Sequence, residues 1–216
     1  MTTSVEIDHI FLMTTPGAPA ADEFVDEGIT EGASRVHPGQ GTANRRFVFD
    51  NVMFEFLWVH DTDEAGSDLV RPTHLLERWR QRDTGGSPFG LCFRPAPQTS
   101  GTPPFTTWGY EPPYLPADLD IKVADNAPNL GEPFLFFLPW AQPPDGPSSH
   151  DAGMRTLTEI IVHTPASNLP SDALRSINRL IRLENAESHH MTLVFDEGIQ
   201  GETVELHPTE PLTIRY

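Results

Sequence analysis

Apolar residues along this chain fall into short runs rich in aromatic and β-branched side chains, most of them too brief for helices. Residues 5–13 (VEIDHIFLM) read as a strand that carries the polar pair Asp8-His9 and is broken by Thr14-Thr15-Pro16-Gly17. Residues 19–28 set Phe24 and Val25 among acidic neighbours, the pattern of a short amphipathic helix stopped at Gly28. Residues 32–36 extend again. The turn Pro38-Gly39-Gln40-Gly41 follows, its glycines open to backbone angles closed to other residues. Residues 45–49 and 52–59 then make a hairpin that pauses at Asp50-Asn51. The first sixty residues thus predict strand, helix and three strands.

Glu55 is the residue in this stretch that most needs explaining. It sits between Phe54 and Phe56, and a charge buried without compensation is costly. Strand alternation places Phe54, Phe56 and Trp58 on one packed face and Glu55 on the other.

Beyond an acidic connector at residues 60–68, residues 73–82 predict a helix capped by Thr73, with Leu75, Leu76 and Trp79 on one stripe. A glycine-rich turn at 83–87 leads to a strand at 89–94. Residues 95–116 are too rich in proline for helix or central strand, and they hold Phe105, Trp108, Tyr110 and Tyr114. This aromatic loop reads either as a lid over a site or as packing onto a sheet. Strands are expected at 119–123 and 133–140 (ending in Trp140), and a second loop at 143–153.

The last part echoes the first. Residues 157–162 align with residues 7–12, a helix capped by Ser171 follows over 171–183, and Val194-Phe195-Asp196 repeats Val48-Phe49-Asp50. Val204-Glu205-Leu206 then matches Phe54-Glu55-Phe56 in position. Forty-six positions separate His9 from Glu55, and forty-six separate Glu159 from Glu205. Four ordered matches predict a duplicated strand–helix–three-strand unit. The chain divides into a first module at 1–62, a middle segment at 63–150 and a last module at 151–216, all in one compact unit.

Charge narrows the partners. Against 14 Lys and Arg stand 31 Asp and Glu, a net charge of −17. Such a surface repels phosphate backbones and anionic lipid, so neither nucleic acid nor membrane is an expected partner. No leader pattern follows Met1, and no apolar run reaches membrane-spanning length. The one cysteine, Cys92, lies in an apolar strand as a core thiol, and a cytoplasmic location is expected. The chain shows no Ser or Cys nucleophile motif and no phosphate-binding glycine loop.

Ile7-Asp8-His9-Ile10, the stretch from His37-Pro38-Gly39 to Gly41-Thr42-Ala43-Asn44, and Glu55-Phe56-Leu57 together resemble the vicinal oxygen chelate superfamily, specifically its glyoxalase-like branch. Phe134 to Trp140 resembles a later strand of such proteins. The resemblance implies an α+β fold in which paired βαβββ modules form curved, mainly antiparallel sheets around a cup. It further implies a divalent metal held by His9, Glu55, Glu159 and Glu205, one residue from the first and last strand of each module. One histidine with three carboxylates suits Mn, Mg or Fe(II), with Zn and Ni also compatible. The first module's partner is either the last module or the middle segment. The middle segment offers no ligands at matching positions.

Two functions follow. The first is a glyoxalase-like enzyme of the lyase, isomerase or dioxygenase kind, acting on a small oxygenated metabolite. Glu55 and Glu205 would move protons beside a Lewis-acidic metal, and Thr42, Asn44, Arg46, Trp108 and Trp140 would contact the substrate, with Arg45 or Arg46 meeting a carboxylate or phosphate. The second is a metal-free protein of the same fold that binds or sequesters an aromatic or cationic small molecule. A homodimer is compatible with either.

Overall fold

A computed structural model of the protein describes residues 4–99, 101–144, 149–165, 169–206, 208 and 210–216. The loop expected at 143–153 lies partly outside these. Strand β1 (Val5–Met13) leads into helix α1 (Ala20–Asp26) and strands β2 (Arg35–His37), β3 (Thr42–Val48) and β4 (Met53–Val59). Helices α2 (Thr62–Ala65) and α3 (Leu75–Gln81) precede β5 (Phe89–Pro95), β6 (Thr107–Tyr110), β7 (Ile121–Ala124) and β8 (Phe134–Phe137). The remainder holds β9 (Leu157–Thr164), α4 (Asp172–Ser176), β10 (Arg182–Asn185), β11 (His190–Phe195), β12 (Thr203–Glu205) and β13 (Leu212–Arg215). This is the α+β architecture of few helices and open mixed sheets.

The first eight strands form one sheet in the order β2-β3-β4-β1-β5-β8-β7-β6, and the last five form another in the order β10-β9-β11-β13-β12. The seam of the first sheet is β1 against β5, antiparallel, with β4 parallel on the other side of β1. The middle segment is therefore the partner of the first module around the cup. The proline-rich stretch contributes only an edge strand, β6, over four residues free of proline, where the ladder tolerates its ragged neighbours.

One face of the first sheet carries Ile10, Leu12, Phe47, Phe54, Phe56, Phe89, Leu91 and Phe93, packed with Phe24 of α1. The second sheet joins the same apolar cluster through residues such as Ile160, Leu193 and Ile214. Phe49 and Phe195, the central residues of the two echoing tripeptides, lie with ring centroids 4.4 Å apart at this junction. Asn51 fastens it: its Nδ2 donates to Leu157 O at 2.9 Å and its Oδ1 accepts from Leu157 N at 2.9 Å.

The last part does not repeat the pairing of the first. In the first module the last strand, β4, lies beside the first, β1. In the second sheet, β9 is flanked by β10 and β11, and β12 is the edge strand beyond β13. The helix is also shorter than expected, closing at Ser176 with Ile177 as its C-cap, and β10 begins at Arg182.

Candidate functional site

The opposite, concave face of the first sheet lines a cavity of about 220 Å³. Its walls come from β1 to β4 on one side and from β6 to β8 on the other. At the seam, Gly90 lets the sheet halves close: a Cβ there would stand 2.0 Å from the ring of Phe11.

On β1 the alternation would direct only one of Asp8 and His9 to this face. A β-bulge between Ile7 and His9 leaves Asp8 without a partner on β5 and turns both side chains toward the cup. Asp8 Oδ1 meets His9 Nδ1 at 2.7 Å, and His9 Nε2 faces Glu55 Oε1 at 3.8 Å. The other oxygen of Glu55 accepts from Asn44 Nδ2. Behind Asp8, Arg94 reaches its Oδ2 at 3.4 Å, Glu6 at 3.2 Å and the Ile7 carbonyl at 2.8 Å. The result is a line of charged groups, Arg94–Asp8–His9–Glu55, ended by the neutral amide of Asn44 and spanning β5, β1, β4 and β3.

Burial opposes a charge on His9, but the hydrogen bond and charge of Asp8, with Glu55 beyond, outweigh it and hold the imidazole above its ordinary value. Asp8 mirrors this: burial would raise it, yet His9 and Arg94 keep it below the usual carboxylate range. His37, by contrast, is lowered chiefly by burial, and its Nδ1 lies 2.9 Å from Thr42 Oγ1.

The glycine turn supports the site from beneath. Gly39 and Gly41 adopt positive φ (+78° and +73°), and a Cβ on Gly41 would meet Asp61 O at 2.2 Å. Glu64 accepts from both glycine N–H groups, at 2.7 and 3.1 Å. The turn's Gln40 and His37 then face Tyr114, whose hydroxyl donates to Gln40 Oε1 at 3.3 Å and whose ring lies 4.9 Å from His37. The proline-rich segment thus closes over the cup through Tyr110, Tyr114 and Leu115.

Several residues singled out in the sequence meet here: His9, Asn44, Arg46, Glu55 and Trp140 all line the cavity. Thr42 stands just behind, fully buried, joined to His37 and to Gln40. Trp108 is outside the wall, its ring 6.3 Å from that of Tyr110. Arg45 points away, toward Glu31 and Asp22 at 2.6 and 2.8 Å. Arg35, His37, Gln40 and Tyr110 join the lining. Arg35 bears no signal in the sequence, because only the pairing of β2 with β3 brings that edge over the cup.

Glu159 and Glu205 are not brought to this site. Glu159, on β9 in the second sheet, lies 3.3 Å from Arg182, and Glu205 is exposed on edge strand β12. The equal spacing in sequence is real, but the strand order differs, so equal spacing does not yield equivalent places.

The four-residue metal set is therefore not assembled around the cup. From β6 to β8 the cavity is lined by Tyr110, Ile121, Val123, Phe134 and Phe136, with no carboxylate or imidazole where two further donors would be required. Asp8, His9 and Cys92 do bring donor atoms within 4.8 Å of one another. That trio is a poor fit for a metal, since Asp8 and His9 Nδ1 are bonded to each other and burial drives the Cys92 thiol well above its ordinary value. Among the described residues, no helix is long and apolar enough to cross a membrane.

The glyoxalase-like domain family matches the chain over residues 7–177. No curated protein matches it. Among solved structures, a hypothetical protein from Staphylococcus aureus is similar at 9% identity and a TM-score of 0.54, with 98% of each chain covered. The similarity thus extends over both sheets and concerns the fold. Methylmalonyl-CoA epimerase from Mycobacterium tuberculosis aligns at 10% identity and a TM-score of 0.39, covering 64% of this chain and 90% of that one.

Proposed function

Since the chain belongs to the glyoxalase-like domain family, we propose that its cup holds a small oxygenated metabolite and that Glu55 and His9 transfer a proton on it. The observation that carries this reading is the placement of a buried carboxylate oxygen, Glu55 Oε1, 3.8 Å from His9 Nε2, with the other oxygen fixed by Asn44. The gap between them is wider than a hydrogen bond, which leaves both atoms free to address a ligand.

In the reaction, the Glu55 carboxylate takes a proton from a carbon next to a carbonyl, breaking the C–H bond and leaving its electron pair as an enolate. His9, tied through Nδ1 to Asp8, presents an Nε2–H to the carbonyl oxygen where negative charge collects. Return of the proton to the same or a neighbouring atom completes an epimerisation or isomerisation without oxidant or reductant. The apolar wall from β7 and β8 excludes water from the charged pair. No step depends on a metal.

The second reading, a binding protein without chemistry, is favoured by the large apolar half of the cup. Incubation with small 2-oxo and 2-hydroxy acids in D₂O, followed by NMR, separates the two. Exchange of the carbon-bound proton by wild type, lost in Glu55→Gln and strongly reduced in His9→Ala, is the expected result. Binding of those compounds by wild type without exchange would overturn the enzymatic reading in favour of sequestration.

A further inference from the structure

The cup is divided chemically along the seam of its sheet. The half built by β1 to β4 contributes all the charged side chains, Asp8, His9, Arg35, Arg46 and Glu55, over a floor that includes Phe11, Met53 and Leu57, whereas the half built by β7 and β8 with the following turn is wholly apolar or aromatic, from Ile121 to Trp140. A ligand that fills both halves must itself have a polar end and an apolar body.

The sign of the polar end is set by two arginines. Arg46 stands directly opposite Glu55 on the β3–β4 ladder, and its only side-chain hydrogen bond among the described residues is from Nε to Ala33 O at 2.6 Å. Arg35, exposed at the rim, makes no side-chain ion pair among the described residues. Most other arginines in this acidic chain are paired with carboxylates, as Arg45, Arg94, Arg155 and Arg182 show. Arg78, Arg80, Arg179 and Arg215 also make no ion pair among the described residues, but they lie outside this cavity, whereas Arg35 and Arg46 both line it. Their charge is opposed by Asp8 and Glu55 and supplemented by His9, so the site balances at a single added negative charge rather than two. The hydroxyl of Tyr110 is buried and has no hydrogen-bond partner among the described residues. A buried donor of this kind is costly unless a ligand or water accepts from it.

We propose that the ligand is a monocarboxylate with an apolar or aromatic body, its carboxylate against Arg46 and Arg35, its body against Phe134, Phe136 and Trp140, and an oxygen at Tyr110. The inference rests on the reading of the cup as a small-metabolite site and names the class of metabolite. The overall charge of −17 points the opposite way, toward cations. At the site itself the local arginines outweigh it, because Coulomb interactions at a few ångströms exceed those with distant, screened surface charges.

The test is calorimetric titration of the intact protein with phenylacetate and phenylpyruvate, beside phenylacetamide, acetate and inorganic phosphate. The two phenyl carboxylates are expected to bind at least tenfold more tightly than the amide, acetate or phosphate. Arg46→Gln should weaken the phenyl carboxylates about tenfold or more, with Arg46→Lys intermediate, and circular dichroism confirms the fold of each variant. Equal affinity for phenylacetamide and phenylacetate, or no binding of either phenyl carboxylate, overturns the inference, as does an Arg46→Gln protein that binds like wild type. Carboxylate-selective binding without proton exchange leaves this inference standing and removes only the proposed reaction. Exchange on neutral ketones with no carboxylate preference does the reverse.

Discussion

His9 presents Nε2 to Oε1 of Glu55 across 3.8 Å because β1 and β4 run parallel in a fixed register. Phe11 is the direct partner of Glu55 and His9 that of Met53, so the imidazole and the carboxylate are diagonal neighbours on the concave face. Asp8, turned inward by the bulge, holds the far side of the ring at 2.7 Å.

This arrangement has a signature in pH. A histidine held above its unfolded value of about 6.5 contributes stability that is complete below that pH and is lost as pH rises through the folded value. Chemical denaturation between pH 5 and 9 should therefore show stability falling above pH 6.5. Asp8→Asn should lower the His9 titration midpoint, read by NMR of the imidazole protons, and flatten the fall. A His9 midpoint unchanged in Asp8→Asn would disprove the coupling.

A second titrating group lies at the junction of the sheets. Glu210, between β12 and β13, accepts from the hydroxyl of buried Thr14, and burial pushes its carboxyl up to about 7. A raised carboxyl favours the fold while protonated and loses that advantage as pH climbs from about 4.5 through 7. Glu210→Gln should be more stable than wild type at pH 8, by on the order of 3 kcal/mol, and equal to it near pH 4. Parallel denaturation curves for the two proteins at both pH values would rule this out.

Gly90 tests the seam. With Phe11 atoms 2.0 to 2.5 Å from any Cβ placed there, Gly90→Ala must displace a fully packed ring and should cost roughly 1–3 kcal/mol. Adding Phe11→Leu should recover much of the loss, a non-additivity that identifies the contact. Additive losses in the double variant would place the strain elsewhere.

Asn51 tests the docking of the second sheet. Its amide exchanges two hydrogen bonds with the backbone of Leu157 at the start of β9. Asn51→Ala leaves both backbone groups without this partner and should cost about 1–3 kcal/mol. Amide exchange should accelerate first along β9, with β1 and β4 protected as before. Uniform acceleration over both sheets would mean that the two open as one unit.

Much of the first module was legible in the chain. Runs of aromatic and aliphatic residues set β1 and β4, and their alternation put Phe54 and Phe56 in the core and Glu55 on the far face, whereas β3 starts at Thr42, three residues before the expected strand. The glycines at 39 and 41 marked a turn no other residue could make. These features are local, governed by a side-chain period of two and by allowed backbone angles. The sequence by itself therefore determined the strands and the turn, and marked His9 and Glu55 as candidates. It could not determine which strands become neighbours. Glu159 and Glu205 share the spacing of His9 and Glu55, yet β9 and β12 are separated by two strands while β1 and β4 touch. The inward turn of Asp8, the arrival of Arg35 and Tyr110, and the apolar wall of Phe134 and Phe136 were likewise decided only by tertiary structure. Sheet order and bulges arise from long-range pairing and packing, and no local period along the chain encodes them.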